Sequence, residues 1–157
     1  MSELQQDKIF IIDDNFQSRM ILQRIFSKEQ KYTVKLAFNG EEALNIVKGY
    51  LPDLILLDID LPGISGYELA DKLSSIESVN DVPIIFLTGK NDIESRLKAF
   101  ENGGVDYICK PFSPVELLAR VHVHTKLRRM NLELKQKNNL LAKREVQLNH
   151  LVEERTY

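Results

Sequence analysis

The sequence predicts an α/β fold in which helices cover a parallel sheet. Short apolar runs alternate along the chain with segments of helical periodicity, the pattern of repeated β-α-β units. Runs at 8–13, 53–58 and 83–88 are apolar without alternation, as expected for strands covered on both faces. The run TVKLA at 33–37 does alternate, which predicts an edge strand. A fifth strand is predicted at 105–109.

Helices are predicted between these strands from apolar spacing and capping residues. Asn39, with Glu42 three residues later, has the pattern of a helix N-cap, and Gly66 begins the next predicted helix. Two further helices have apolar residues at helical spacing, and in the first of them these residues are predicted to lie around a core-facing stripe. They are Met20, Ile21, Leu22, Ile25 and Phe26 in a helix at 16–28, and Ile93, Leu97 and Phe100 in a helix opened by Asn91.

The fifth helix has the clearest predicted start. Ser113 can cap it, Pro114 suits the first helical position, and Glu116 completes a capping box. No Gly or Pro follows Pro114. The helix is therefore predicted to run to about residue 155, or roughly 63 Å at about 1.5 Å per residue. Because a domain of this size is about 30 Å across, the last half is expected to project from it.

Two segments are predicted, a domain at 1–125 and a helical coiled-coil stalk or linker at 126–157. Four leucines in the second segment fall seven residues apart, a coiled-coil spacing: Leu127, Leu134, Leu141 and Leu148. As d positions, they pair with a-position Asn131, Asn138, Glu145 and Val152; as a positions, they pair with d-position Met130, Lys137, Arg144 and Leu151. Either seam is half polar. We expect a weak or switchable homodimer, with a solvated single helix as the alternative, and the sequence leaves the register and orientation open.

Composition and charge limit the classes of protein that fit. The net charge is −2, but residues 126–157 carry eight Lys/Arg against four Asp/Glu, so the remainder is acidic. An acidic body gives no electrostatic reason to expect a nucleic-acid partner. No apolar stretch approaches the roughly 20 residues needed to cross a bilayer. The N-terminus lacks the pattern of a secretion signal, and the single Cys109 cannot form an internal disulfide. A cytoplasmic protein without a membrane partner is expected.

Polar residues follow four of the apolar runs. They are Asp13 with Asp14, Asp58, Thr88 and Lys110. In open α/β sheets the ligand site lies beyond the carboxyl ends of the strands, so three carboxylates, a hydroxyl and an ammonium are expected in one crevice. Two unit charges 4 Å apart repel by about 4 kcal/mol at an effective dielectric of about 20, so a phosphate can approach these carboxylates only with counterions. Mg²⁺ and Lys110 would supply them, which suits a site that receives a phosphoryl group.

Four motifs resemble those of the response-regulator receiver domain, the flavodoxin-like, doubly wound module of two-component signalling. They are IIDD at 11–14, LLDIDLPGISG at 56–66, IFLTGK at 85–90 and DYICKPF at 106–112. The resemblance covers residues 8 to about 125. It implies a five-stranded parallel sheet in the order 2-1-3-4-5, continued here by an extended C-terminal helix. It also implies a phosphoacceptor signalling domain rather than an enzyme, limited to its own phosphorylation and dephosphorylation.

The resemblance also implies a role for each matching residue. Asp58 would be the phosphoacceptor and Asp14 a direct metal ligand, while Asp13 would act indirectly and Asp60 would contribute its backbone carbonyl. The phosphate-binding and switch residues would be Thr88, Lys110 and Tyr107, and the peptide bond between Lys110 and Pro111 would be cis. The implied cofactor is Mg²⁺ or Mn²⁺. The implied phosphodonor is a histidine kinase or a phosphotransfer protein.

Two other classes of protein share part of this pattern. The segment from Leu57 to Asp60 resembles the nucleophile motif of haloacid-dehalogenase-like phosphatases, but in that family the acidic metal pair comes after the Lys. A DNA-binding zipper would use the basic residues before the heptads, yet Lys126, Arg128 and Arg129 are few and follow a folded helix.

Two alternatives remain for the output. The sequence stops within a predicted helix, as expected of the receiver part of a larger sensor kinase, cyclase or phosphodiesterase chain. Alternatively, the helix 4–strand 5–helix 5 face passes the signal to a dimerising C-terminal helix. Neither the cognate kinase, the stimulus, the phosphorylation lifetime nor the downstream target follows from these residues.

Overall fold

The structure, a computed structural model, describes residues 5–89 and 93–155, with side chains as far as residue 151. The predicted cap Asn91 and the motif residue Lys90 lie outside these ranges. Strands and helices alternate along the described chain. In order they are β1 (Asp7–Ile12), α1 (Phe16–Ser27), β2 (Tyr32–Ala37), α2 (Gly40–Ile46), β3 (Leu54–Asp58), α3 (Gly66–Ser74), β4 (Ile84–Thr88), α4 (Ile93–Glu101), β5 (Asp106–Cys109) and α5 (Pro114–Arg155).

The five strands form one parallel sheet in the order β2-β1-β3-β4-β5, which confirms the predicted fold class. The alternating strand β2 lies at an edge, as its pattern predicts. Pairing of Ile12 with Leu57, and of Thr88 with Cys109, aligns the ends of neighbouring strands. The residues that follow β1, β3, β4 and β5 therefore meet at one edge of the sheet.

Each face of the sheet has its own hydrophobic core. Alternate residues of a strand point to opposite faces, so Ile9 and Ile11 pack with α1 and α5, while Phe10 and Ile12 pack with α2, α3 and α4. β3 and β4 are buried at every residue. Burial on both faces explains why these runs show no alternation in the sequence.

The predicted core-facing stripe of α1 is wrong in part. In α1 the buried residues are Leu22, Ile25 and Phe26, whereas Met20 and Ile21 are exposed. In α4 the buried residue is Ala99, and the apolar residues at helical spacing are exposed. Ile93, Leu97 and Phe100 do share a helix face, but it lies away from Ala99 and faces solvent.

Side-chain caps fix the beginnings of several helices. The Asn39 side chain accepts from the Glu42 backbone N–H at 2.8 Å, which confirms the predicted cap of α2. Ser113 Oγ accepts from the Glu116 N–H at 3.5 Å at the start of α5. By internal contacts the chain divides into two units, residues 1–125 and 126–157. Among the described residues, none of the helices combines the length and apolarity that crossing a membrane requires.

Candidate functional site

Three acidic side chains lie together beyond the ends of β1 and β3. One carboxylate oxygen each from Asp13, Asp14 and Asp58 lies within 4.8 Å of the other two. Asp13 and Asp58 are buried, at 0% and 4% exposure, whereas Asp14 is exposed. The strand register produces this meeting, because Ile12 pairs with Leu57 one residue before the two buried acids.

Lys110 connects the end of β5 to both buried acids. Its Nζ lies 3.1 Å from Asp13 Oδ2 and 3.3 Å from Asp58 Oδ2. Its backbone N–H donates to the Thr88 carbonyl at 2.7 Å, and the following peptide bond to Pro111 is cis. One ammonium thus contacts carboxylates from two other strand ends.

Each buried acid uses its two carboxylate oxygens differently. Asp13 Oδ1 accepts from the Asn15 backbone N–H at 2.9 Å, and Asp58 Oδ1 accepts from the Asp60 N–H at 3.1 Å. These bonds to the residue two positions later are Asx turns, which orient the carboxylates locally. The remaining oxygen of each acid, Oδ2, faces Lys110.

Burial and charge shift the ionisation of the site. Burial, followed by the charge of Asp13, raises the pKa of Asp58 to about 7, although Lys110 lowers it. Burial alone would lower the pKa of Lys110, but Asp58 and Asp13 raise it above its ordinary value. The fold therefore resists a full negative charge on Asp58 unless a cation accompanies it.

The donor set fits a divalent metal ion. Three carboxylates and one ammonium leave two formal negative charges, which one divalent cation would balance. All the donors are oxygens, and Mg²⁺ prefers oxygen ligands from a few carboxylates while it keeps water and phosphate oxygens as its other ligands. Asp14, the exposed member, leaves the group open toward solvent.

Thr88 and Tyr107 are the other two side chains to which the resemblance gives a role. Thr88 is buried at the end of β4, its carbonyl accepts from the Lys110 N–H, and it lines a cavity of about 300 Å³ together with Asp60. Tyr107 is 6% exposed and packs in the same core as Phe86. The resemblance implies a switch role for Tyr107, and in this structure its side chain is buried.

Gly66 holds the start of α3 against the end of β3. Its backbone N–H donates to the Ile59 carbonyl at 2.8 Å. A Cβ here would overlap the Asp58 carbonyl oxygen and lie 2.7 Å from Ile59 Cα. Both neighbours are backbone atoms, so a side chain at this position requires the loop after Asp58 to move.

Sequence reasoning missed Arg19. Its Nη1 donates to the Asp13 carbonyl at 2.9 Å, and its guanidinium carbon lies 4.1 Å from the centroid of the Phe38 ring. Arg19 therefore joins the turn after β1 to the loop after β2. The available signal was its position four residues after the helix cap Asn15, which directs it toward the preceding turn.

A second missed group joins β5 to α5. Asp106 Oδ1 lies 2.6 Å from Arg120 Nη1, and Asp106 Oδ2 lies 3.0 Å from His124 Nε2. Burial alone would raise the pKa of Asp106, but hydrogen bonds from Arg120, the Tyr107 N–H and His124 lower it below its ordinary value. Arg120 and His124 are four residues apart, so both point from one face of the helix.

Comparison with known proteins identifies the family of this domain. Residues 9–122 match the response regulator receiver domain. The chain belongs to this family. Receiver domains are signalling domains that act with histidine kinases or phosphotransfer proteins in two-component systems. The family resemblance is therefore confirmed, and the phosphatase-like interpretation of the segment from Leu57 to Asp60 does not apply.

Three similar proteins illustrate the range of the family. The chain is 43% identical to a probable transcriptional regulator ycf27 of Porphyridium aerugineum over 118 residues, which cover 75% of this chain and 48% of that protein. It is 38% identical to a probable cyclic di-GMP phosphodiesterase of Vibrio cholerae over 141 residues, which cover 90% of this chain and 32% of that protein. A two-component response regulator from Clostridium difficile superposes with a TM-score of 0.72 at 35% identity, covering 80% of this chain and 99% of that one. The chain thus spans a third to a half of the length of these two curated relatives.

Proposed function

We propose that this domain accepts a phosphoryl group on Asp58 from a histidine kinase or a phosphotransfer protein, with Mg²⁺ or Mn²⁺ as cofactor. The observation that carries the proposal is the contact of Lys110 with both buried acids inside the acidic group. That arrangement supplies a nucleophile, a resident positive charge and oxygen ligands at one point. The remaining roles follow from where the other side chains lie.

Four residues would hold the metal ion. Asp14 and Asp58 would be direct ligands through their carboxylates, Asp60 through its backbone carbonyl, and Asp13 would assist indirectly. When bound, the ion supplies positive charge to the phosphoryl oxygens and to the ionised acids. The burial of Asp13 and its contact with Lys110 support an indirect role, while the exposure of Asp14 supports a direct one.

The transfer would form one bond and break one bond. A carboxylate oxygen of Asp58 attacks phosphorus, the new O–P bond forms, and the N–P bond of the phosphohistidine breaks, with its electron pair remaining on the imidazole nitrogen. Lys110 would pair with a transferred phosphoryl oxygen, and the Thr88 hydroxyl would donate to another. Hydrolysis of the acyl phosphate by water would return Asp58 to its free form. Catalysis in such a site is positioning and charge neutralisation.

The signal would leave through the face formed by α4, β5 and α5 and reach the C-terminal helix. Movement of Thr88 and Tyr107 would begin it. The geometry supports this route, because Asp106 accepts the Tyr107 N–H at 2.8 Å and also contacts Arg120 and His124 on α5. Any shift of the β5 backbone at Tyr107 is therefore applied to α5 through one carboxylate.

A longer parent protein is the second proposal for the output. The match to the phosphodiesterase covers 141 residues, so even an alignment that begins at residue 1 must reach residue 141. It therefore passes the receiver boundary at residue 122 and includes part of the C-terminal helix. That extent favours a receiver joined by this helix to a nucleotide-hydrolysing output of the phosphodiesterase class.

Labelling with acetyl phosphate tests the phosphoacceptor role. With Mg²⁺, the intact protein is expected to gain the mass of one phosphoryl group, and EDTA should prevent the gain. Asp58→Asn should prevent it also, because an amide is not a nucleophile toward phosphorus. The matched control is Asp53→Asn at the opposite end of β3, where the carboxylate accepts from the Lys8 N–H. Equal labelling of Asp58→Asn and the wild type would refute the proposal.

A further inference from the structure

The described side chains of residues 126–151 include a stripe of exposed leucines. Leu127, Leu134, Leu141 and Leu148, here called the leucine stripe, are 48% to 61% exposed. They recur every seven residues along α5, over roughly 31 Å of helix. A helix that leaves such a stripe in water gains little from its apolar residues, because helical stability in proteins comes mostly from packing of the apolar face.

We propose that residues 127–151 pair with a second copy of this chain in a parallel, in-register, two-stranded coiled coil. The leucine stripe occupies the d positions, and Asn131, Asn138 and Glu145 occupy the a positions. The inference gives a definite form to the output through the C-terminal helix. It does not require that Asp58 be phosphorylated.

The polar residues of the seam decide the register. Leucine at d with another residue at a is the pattern of parallel dimers, and a buried Asn at a specifies register and oligomeric state. With the leucines at a, the seam would instead place Lys137 and Arg144 at d, where each cation faces its own copy. With the leucines at d, those two residues move to the flanking g positions, which remain in contact with solvent.

The same residues decide the orientation. In a parallel dimer, a residues face a residues, so Asn131 and Asn138 each meet their own copies, and an amide can both donate to and accept from another amide. In an antiparallel dimer, a residues face d residues, so these amides would pack against leucines and lose their partners. A buried amide without a partner is costly.

Glu145 has a partner in this arrangement. An a residue packs into a hole that includes the partner's preceding g residue, and Arg144 directly precedes Glu145. Each Glu145 faces Glu145 of the second copy, as every a residue does, but it also lies beside Arg144 of that copy, which offsets its charge, and the symmetry repeats the contact. A second copy of the helix, paired in register, provides partners for the Asn131 and Asn138 amides and for Glu145. This favours a second copy over an unrelated helix.

Two neighbouring substitutions test the register in the full 157-residue chain. Asn138→Val places a β-branched residue at a, whereas Lys137→Val places the same residue at g. Lys137→Val loses more helix propensity, because Lys is a better helix former than Asn, so helix content must be compared as well. Asn138→Val should tighten the dimer at least about tenfold, and Lys137→Val should change it by less than about threefold. Sedimentation equilibrium measures the dissociation constants, and circular dichroism checks that helix content is equal.

Other results of the sedimentation experiment overturn the inference. Stronger tightening by Lys137→Val indicates leucines at a. Equal effects of the two substitutions, or a wild-type chain that stays monomeric at millimolar concentration, indicate that no such seam exists.

Cysteine cross-linking tests the orientation in a Cys109→Ser background. Leu134→Cys should form a disulfide with its own copy, and Gln136→Cys, on the outer face, should not. If the helices are antiparallel, a d residue faces an a residue, so Leu134→Cys instead links to Glu145→Cys when the two variants are mixed, which overturns the parallel arrangement. Both experiments omit phosphodonor. Their failure leaves the labelling of Asp58 untouched, and failure of that labelling leaves the dimer untouched.

Discussion

Two regions of the chain, β3 and the described part of α5 after residue 125, differ in how far their side chains are buried. Each residue of β3, Leu54–Asp58, is buried, and the strand ends on the proposed phosphoacceptor. Between residues 126 and 151 none of the side chains is buried. In β3 the surrounding core fixes where a carboxylate lies. In the helix, local hydrogen bonds keep the shape, and the surface remains available to a partner.

Under the proposed function, the buried strand would carry the chemistry and the exposed helix the communication with a partner. The pKa of Asp58 rises to about 7 because its neighbours exclude water from it and because the charge of Asp13 lies beside it. A surface that associates and dissociates must instead be exposed to water in the free protein. Contacts with solvent then replace each contact with the partner when the two separate. Substitutions in the two regions should therefore act on different quantities.

The largest contrast is expected between two leucine truncations. Leu56→Ala removes a fully buried side chain from β3 and should lower the free energy of unfolding by about 2–5 kcal/mol. Leu141→Ala removes an exposed side chain and should change it by less than about 0.5 kcal/mol in dilute, monomeric protein. Urea denaturation at low protein concentration measures both. A large effect of Leu141→Ala there would mean that the helix is buried in the monomer.

An intermediate effect is expected from a pair of glycine substitutions. Gly66→Ala forces a Cβ against the Asp58 carbonyl and Ile59, and should destabilise the fold by about 1–3 kcal/mol. It should also slow labelling of Asp58, since the loop after β3 must move. Gly49→Ala is the control, because a Cβ there meets nothing within 4 Å. Thermal denaturation that shows equal stability for both variants would contradict this account of the loop.

The smallest effect concerns acid stability. The pKa of Asp106 is lowered in the fold, so its contribution to stability is present above the unfolded pKa of about 3.9 and is lost as pH falls through the folded value. Asp106→Asn should therefore lower stability at neutral pH and flatten the decline below about pH 4. Asp71→Asn, at an exposed position on α3, should leave both unchanged. Denaturation curves across the acid range measure the free energy of unfolding at each pH. If its slope against pH is the same in Asp106→Asn as in the wild type, the Asp106 contacts do not contribute to acid stability.

The sequence predicts the sheet and the meeting of the acids because both depend on local patterns. An apolar run of strand length followed by an acid, as at Asp58, marks a buried strand and the edge at which it ends. Because the carboxyl ends of parallel strands lie at one edge of a sheet, the meeting of Asp13, Asp58 and Lys110 can be predicted without measured distances. These features repeat in four segments, so each supports the others.

The remaining features depend on how the helices pack against the sheet, which local sequence patterns do not specify. Ile93, Leu97 and Phe100 have helical periodicity, but periodicity gives a stripe and not the side that faces the sheet; the small Ala99 allows the close approach instead. Asp106 meets a helix residue 18 positions later, and such a contact depends on how β5 and α5 pack.

Lys110 contacts two carboxylates through one amine, and under the proposed function that arrangement would turn a change of charge into a movement. A phosphoryl oxygen that competes for the ammonium would weaken its hold on Asp58 while Asp13 retains it. The loop after β5 would then shift relative to β3 and stay anchored to β1. A change in the partners of one charged atom would in this way alter the distance between this loop and β3, while the strand pairings of the sheet stay intact.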